Sequence, residues 1–185
     1  MLILRLAKVA DLAEIVAFEE AVLPDAWTKA SLQATFTSEF QQIWLLELKN
    51  EKPANDLAGL IHFTCVGDSS DILNLGLREN YRSQGLASLL LGALTAYAHG
   101  EIVWQNWQLA NKISVYDIKL LNEAKSIRAL NLEVREKNEK AINCYLKNDF
   151  QIKRKIKNFY TEPAFQKPKS WDYQGEAALC MQKKL

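Results

Sequence analysis

Residues 129–135 read Ala-Leu-Asn-Leu-Glu-Val-Arg, apolar and polar in strict alternation. A strand repeats every second residue, so Leu130, Leu132 and Val134 fall on one face and Asn131, Glu133 and Arg135 on the other. A strand with one apolar face needs a layer to cover it, and the chain supplies one at once. Asn138, Ala141, Ile142 and Tyr145 stand at i, i+3, i+4 and i+7, the spacing of one helix face. This switch of period, from strand to helix, demands a sheet with helices packed on it.

The rest of the chain extends the pattern. Leu2–Ala7 reads as a strand, and Asp11–Leu23 has helical spacing, with Asp11 placed to cap it. Residues 24–27, Pro-Asp-Ala-Trp, break the chain, and a short helix starts near Thr28 and runs to about Phe36. Residues 43–49 and 57–66 are strand-like and joined by a turn-rich Asn-Glu-Lys-Pro-Ala-Asn-Asp, which predicts a hairpin. Residues 71–77 form a further strand with Gly76 in its interior, where glycine marks a bulge or a close backbone approach. After the turn at 81–85 comes a helix from about Leu86 to Ala98. Residues 150–160 and 177–184 are the final strands. The order predicts a mixed α/β sheet, neither an all-parallel Rossmann sheet nor a helical bundle.

A chain of 185 residues with 49% apolar content can build one core without staples, so a single domain over 1–185 is expected. Residues 100–127 are long for a helix-to-strand connection and contain Trp104, Trp107 and Tyr116, which predicts an ordered, mainly helical insertion. The net charge of +1 excludes a general polyanion binder, although 153–159 and 167–169 are locally basic. Cys65, Cys144 and Cys180 form no CxxC pair, so small buried thiols in a reducing compartment are expected. Two distant histidines, His62 and His99, give no basis for a metal site. Arg5 and Lys8 interrupt the apolar start, and no run reaches membrane-spanning length, so no membrane partner and a cytoplasmic location are expected.

The turn Arg82-Ser83-Gln84-Gly85-Leu86-Ala87 opens the helix on a bare glycine. A helix N-terminus carries unpaired N–H groups and the positive end of the macrodipole, a seat for phosphate. Small residues at a helix start also permit close helix–sheet packing, and these residues alone leave both readings open. Neither a Walker A loop nor a dinucleotide fingerprint fits, since the lysine and the third glycine are missing.

The hexapeptide matches R/Q-x-x-G-x-G/A, the pyrophosphate turn of the GCN5-related N-acetyltransferases. Around it, Asn-Leu-Gly-Leu-Arg-Glu-Asn-Tyr-Arg-Ser-Gln-Gly-Leu-Ala-Ser resembles that family's NIAVxPxYRxxGxG, and residues 130–150 resemble LxLEVRxxNxxAxxLYxxxGF. The LEVR run followed by NxxAxxxY is most similar to the RimI-type ribosomal-protein-alanine N-acetyltransferases, as are LPDAWTKASL near the start and KNFY with GEAALCM near the end. The chain departs from the pattern at Asp149 and Ala177, where the family has Gly and an acidic residue, and in a longer 161–175 loop.

The resemblance implies a mostly antiparallel sheet whose middle strands splay apart. It implies acetyl-CoA as co-substrate, held by backbone groups of Leu75, Gly76 and Leu77, by Arg82, Ser83, Gln84, Gly85, Leu86, Ala87 and Ser88, and by Asn138. It assigns Glu133 as general base and Tyr145 as proton donor to the leaving thiolate, with Phe159 and Tyr160 flanking an acceptor peptide. Partial burial would raise the Glu133 pKa toward a useful range. Against this stands a plain Glu133–Arg135 ion pair on one strand face. The implied acceptor is a protein N-terminus, the alanine of a ribosomal protein. The competing acceptors are a lysine, a polyamine or an antibiotic, and a third alternative is a non-catalytic acyl-CoA- or RNA-binding module, although no specific nucleic-acid binding is expected.

Overall fold

The computed structural model describes residues 2–48, 56–100, 108–109, 113–116, 127–160 and 175–185. The chain begins with β1 (Leu2–Leu6), α1 (Leu12–Val22), α2 (Lys29–Thr35), β2 (Gln41–Leu48), β3 (Asp56–Val66), β4 (Ser69–Leu77) and α3 (Leu86–Ala98). It continues with β5 (Gln108–Leu109), β6 (Ile113–Tyr116), β7 (Ala129–Arg135), α4 (Glu139–Lys147), β8 (Gln151–Tyr160) and β9 (Glu176–Lys184). The strands form one sheet in the order β5-β6-β1-β2-β3-β4-β7-β9-β8. From β1 to β4 the pairing is antiparallel, β4 and β7 are parallel, and β9 inserts antiparallel between β7 and β8. This is the mixed, mostly antiparallel α/β sheet expected from the sequence.

Alternation in the central strands builds two cores. On β2, Ile43 and Leu45 pack with Ile15, Phe18 and Leu32 of α1 and α2. Trp44 and Leu46 face the other way, toward Leu90, Leu94 and Tyr97 of α3 and Tyr145 of α4. Trp44, Phe63 and Tyr97 meet edge-on, with ring centroids 4.9, 5.3 and 6.0 Å apart, the arrangement that aromatic quadrupoles favour. Leu130, Leu132 and Val134 are buried as their alternation requires.

Two details differ from the sequence reading. Asp11 does not cap α1: its carboxylate accepts from Arg5 Nη1 at 2.7 Å and from the Lys8 N–H at 2.7 Å, closing a 3₁₀ turn over Val9–Asp11. A buried-side guanidinium held also by Glu47 (Arg5 Nε to Oε1, 2.8 Å) outcompetes the helix amides for that carboxylate. Within 100–127, the described elements are strands and not helix. Ile113–Tyr116, carrying β-branched Ile113 and Val115, runs parallel to the open side of β1, which offers it a row of backbone partners. Residues 101–107, 110–112 and 117–126 of that expected insertion, and the 161–174 part of the long loop, lie outside the described residues.

His62 is fully buried on β3. Its Nε2 lies 3.3 Å from Gln41 Oε1 and 3.4 Å from Thr35 Oγ1, Trp27 packs edge-on against it at 4.7 Å, and Nδ1 has no partner among the described residues. A second proton would sit on Nδ1 with no acceptor, and burial pushes the imidazole pKa down to about 4. The unfolded His takes its proton near 6.5, so between those values the unfolded state binds more protons and stability falls as pH is lowered. The expected loss over that window is roughly 3 kcal/mol. Urea unfolding across it should show the decline in the native protein and a flatter profile in His62→Gln. Glu19, raised by burial, acts in the opposite sense and is common to both proteins.

Candidate active site

The site is organised by a split in the sheet. The β4–β7 ladder runs from Ser69–Ala129 to Ile72–Leu132 and ends there. Its cause lies on the other side of β4. Ile72 faces Phe63 and Asn74 faces His62, so Leu73 is an extra residue, a bulge that bends β4 away from β7. Gly76 has a separate role: a Cβ there would lie 3.1–3.2 Å from Leu23 Cδ2, Phe18 Cε1 and Val22 Cγ1, so its absence admits α1.

The Arg78 N–H donates to Ala58 O at 3.0 Å, which sets the phase of the ladder. Gly76, two residues earlier, also addresses β3, whereas Leu75 and Leu77 turn their N–H and C=O toward the split. The Leu77 carbonyl accepts from Arg82 Nε at 2.9 Å. An extended guest in the split therefore meets Leu75 and the Leu77 N–H, and the backbone of Gly76 is already engaged.

Beyond β4 the chain turns through Ser83 (φ 60°) and Gly85 (φ 79°), both left-handed. Gln84 braces the turn through Nε2 to Asn80 O at 2.8 Å. The first helical bond of α3 is the Leu89 N–H to Gly85 O at 3.0 Å, so the N–H groups of Leu86, Ala87 and Ser88 have no partner within the helix. A Cβ on Gly85 would meet nothing within 4 Å, so the space before these amides is open. Leu86 is buried, Ala87 half-buried, and Arg82, Ser83 and Gln84 exposed. The Ser88 hydroxyl is directed elsewhere, accepting from Asn148 Nδ2 at 2.9 Å and tying α3 to α4.

On α4, Asn138 is the N-cap: Oδ1 accepts from the Ala141 N–H at 3.2 Å. This explains the asparagine locally and leaves its Nδ2 for a ligand. Tyr145 is buried against Phe150, centroids 5.8 Å apart, and its hydroxyl makes no hydrogen bond among the described residues. Burial raises its pKa, so the hydroxyl stays protonated. Asp149, at φ 68°, adopts the left-handed conformation that favours glycine, and Phe150 follows it to pack against Tyr145.

Glu133 is the first β7 residue past the end of the ladder. It is exposed, not partly buried, and Cys180 Sγ lies 3.9 Å from Oε1. The alternative pairing with Arg135 does not form among the described residues. Arg135 instead binds Asp25 (Nη2 to Oδ1, 2.6 Å) and Glu176 (Nη1 to Oε2, 2.9 Å) and stacks 4.1 Å above the Tyr160 ring. Burial pushes the Tyr160 phenol up to about 12; Arg135 opposes this, and Asp25, Glu133 and Glu176 add to it. Residues 22–25 thus cross the split, with Val22 and Leu23 against Gly76 of β4 and Asp25 on Arg135 of β7.

Asn131, Glu133 and Arg135 share one face of β7. There a cavity of about 280 Å³ opens, bounded by Asp71, Asn131 and Glu133 on one side and Lys153 and Arg154 on the other. Asp71 accepts from Asn131, and Asn131 from Gln182, both at 2.9 Å. Sequence reasoning missed Asp25, Asp71 and this basic pair; only the charge of 153–157 hinted at the last. Among the described residues, no His, Cys, Asp and Glu group is arranged to hold a metal ion, and no helix is long and apolar enough to cross a membrane.

No family model and no curated protein sequence matches the chain. Solved structures do. The ribosomal-protein-S18-alanine N-acetyltransferase of Escherichia coli is 20% identical at TM-score 0.69, covering 100% of this chain and 94% of that one. Arabidopsis thaliana NAA60 bound to a bisubstrate analogue is 18% identical at 0.73, covering 100% and 98%. Spermidine/spermine N-acetyltransferase SpeG of Vibrio cholerae is 13% identical at 0.64, covering 99% and 92%. Split sheet, glycine-headed helix and chain-long superposition agree: this chain has the fold of the GCN5-related N-acetyltransferases.

Proposed function

We propose that the protein is an acetyl-CoA-dependent N-acetyltransferase whose acceptor is a protein N-terminal α-amine, the alanine of a ribosomal protein. The observation that carries the reading is the split itself, which has open amides at its α3 end and Glu133 at its closed end. The amides of Leu86, Ala87 and Ser88, with Arg82, suit a pyrophosphate; Leu75, the Leu77 N–H and Asn138 Nδ2 suit an extended amide chain. Acetyl-CoA supplies an acyl carbonyl activated by its thioester. Glu133 takes a proton from the acceptor ammonium, so that nitrogen bonds the acyl carbon as the carbon–sulfur bond breaks. The nitrogen then loses its second proton and the sulfur gains one. Tyr145, a weaker acid than a thiol, serves by donating a hydrogen bond to the sulfur as charge develops, and not by full proton transfer.

An α-amine, with a pKa of about 8, gives up its proton to a carboxylate more readily than a lysine, at about 10.4. Matched peptides with free and blocked N-termini, both containing lysine, test this by mass spectrometry. Only the free peptides should gain acetyl; equal labelling of the blocked ones would move the reading to side-chain amines. Labelled acetyl-CoA in a ribosomal extract identifies the acceptor and checks the ribosomal assignment.

A further inference from the structure

The cavity beside Glu133 has a polarity that amine transfer does not require. Its carboxylates, Asp71 and Glu133, come from β4 and β7, and its cations, Lys153 and Arg154, come from β8. Consecutive strand residues ordinarily point to opposite faces. Here the register slips: Ile152 faces Met181 and Arg154 faces Cys180, which leaves Lys153 as an extra residue. A bulge sets two residues against one and re-aims a side chain, so that both cations border the same cavity. Lys155, by contrast, pairs with Glu136. Lys153 reaches only the neutral Gln151, at 2.9 Å, and neither Lys153 nor Arg154 has a carboxylate partner among the described residues.

We propose that Lys153 and Arg154 form an acceptor subsite that selects N-termini carrying an acidic side chain within the first three residues. This rests on the reading of the cavity as the acceptor side of an N-terminal acetyltransferase. A space of about 280 Å³ can take the side chains of a short peptide segment. With the amine at Glu133, an Asp or Glu at position 2 or 3 arrives at the bulge, where a lysine would meet like charge. The tie between Asp25 and Arg135 occupies β7 beyond Glu133, and the proposed path of the chain runs the other way, from β7 over β9 to β8.

The test uses the full chain and C-terminally labelled peptides, Ala-Glu-, Ala-Gln- and Ala-Lys- in one common context, with anisotropy for binding and acetyl gain for turnover. The acidic peptide should bind about tenfold or more tighter than the lysine peptide, a preference that shrinks with added salt. It should vanish in the Lys153→Gln/Arg154→Gln double variant and reverse in Lys153→Glu/Arg154→Glu. Both positions lie on an exposed strand face, so the variants fold. Equal binding of the three peptides, or a preference that survives charge reversal, overturns the subsite. Discrimination in binding with no acetyl gained by any peptide upholds the subsite and removes the transferase reading.

Discussion

Glu133→Gln lowers turnover about 10²–10⁴-fold and leaves the acetyl-CoA-induced rise in melting temperature intact. The substitution keeps size and hydrogen bonding but removes the carboxylate proposed to take the ammonium proton at the closed end of the split. Glu133 is exposed and, among the described residues, its one close polar contact is the Cys180 thiol at 3.9 Å, so no ion pair with them is lost with its charge. Tyr145→Phe is the companion. Its ring packing on Phe150 persists, and the lost hydroxyl has no partner among the described residues, so stability holds or rises. Turnover falls about 10²–10³-fold, the usual cost of removing one donor to developing charge. Steady-state rates with a free-N-terminus peptide, alongside thermal shifts, separate the two effects. Near-normal rates in both variants would mean that this strand–helix pair is only scaffold.

Gly85→Glu abolishes the thermal shift itself. A ligand at a hundred times its dissociation constant stabilises by about 2.7 kcal/mol, which in a domain of this size raises the melting point by roughly 5–10 °C. At φ 79° a side chain is strained by about 1–2 kcal/mol, but the open space before Gly85 means that it collides with nothing in the fold. The protein therefore still melts cooperatively, a few degrees lower. What the new carboxylate does is cover the amides of Leu86, Ala87 and Ser88 with charge of the wrong sign. Gly85→Val blocks without the charge and should give the same loss. A shift of native size in either variant would place the pyrophosphate elsewhere.

How far the sequence could be read depended on the range of each constraint. β7 was legible to the residue because every second position is apolar, and α3 because its apolar run starts on a glycine. The helix expected to start near Thr28 does so, with the Thr28 side chain accepting from the Ser31 N–H at 3.2 Å. Asp11 was misjudged because its partner, Arg5, lies on a different element. Gly76 was noticed for the right reason, a close approach, but what approaches is α1, and the bulge is at Leu73, an apolar residue that looks like any other in its strand. The bulge at Lys153 was invisible in a run charged at nearly every position, where no alternation exists to be broken. The tie of Arg135 to Asp25 joins residues 110 apart, and no local pattern reports it.

The place of β9 sets the order in which a working enzyme comes into being. β7 carries Glu133, and over its whole length, Ala129–Arg135, it is paired with residues 178–184. β8, with its cations, is joined to the sheet through β9 alone among the described strands. While a nascent chain still lacks those residues, β1 to β4 can close their antiparallel meander and α3 can dock, forming the amide seat. The strand that carries Glu133 then has, among the described strands, only the four-residue ladder to β4 to hold it. The α3 end of the proposed site thus precedes β9 in the chain and the Glu133 end depends on it, so truncation before residue 176 is expected to release β7 from its longest ladder while leaving the β1–β4 pairings in place.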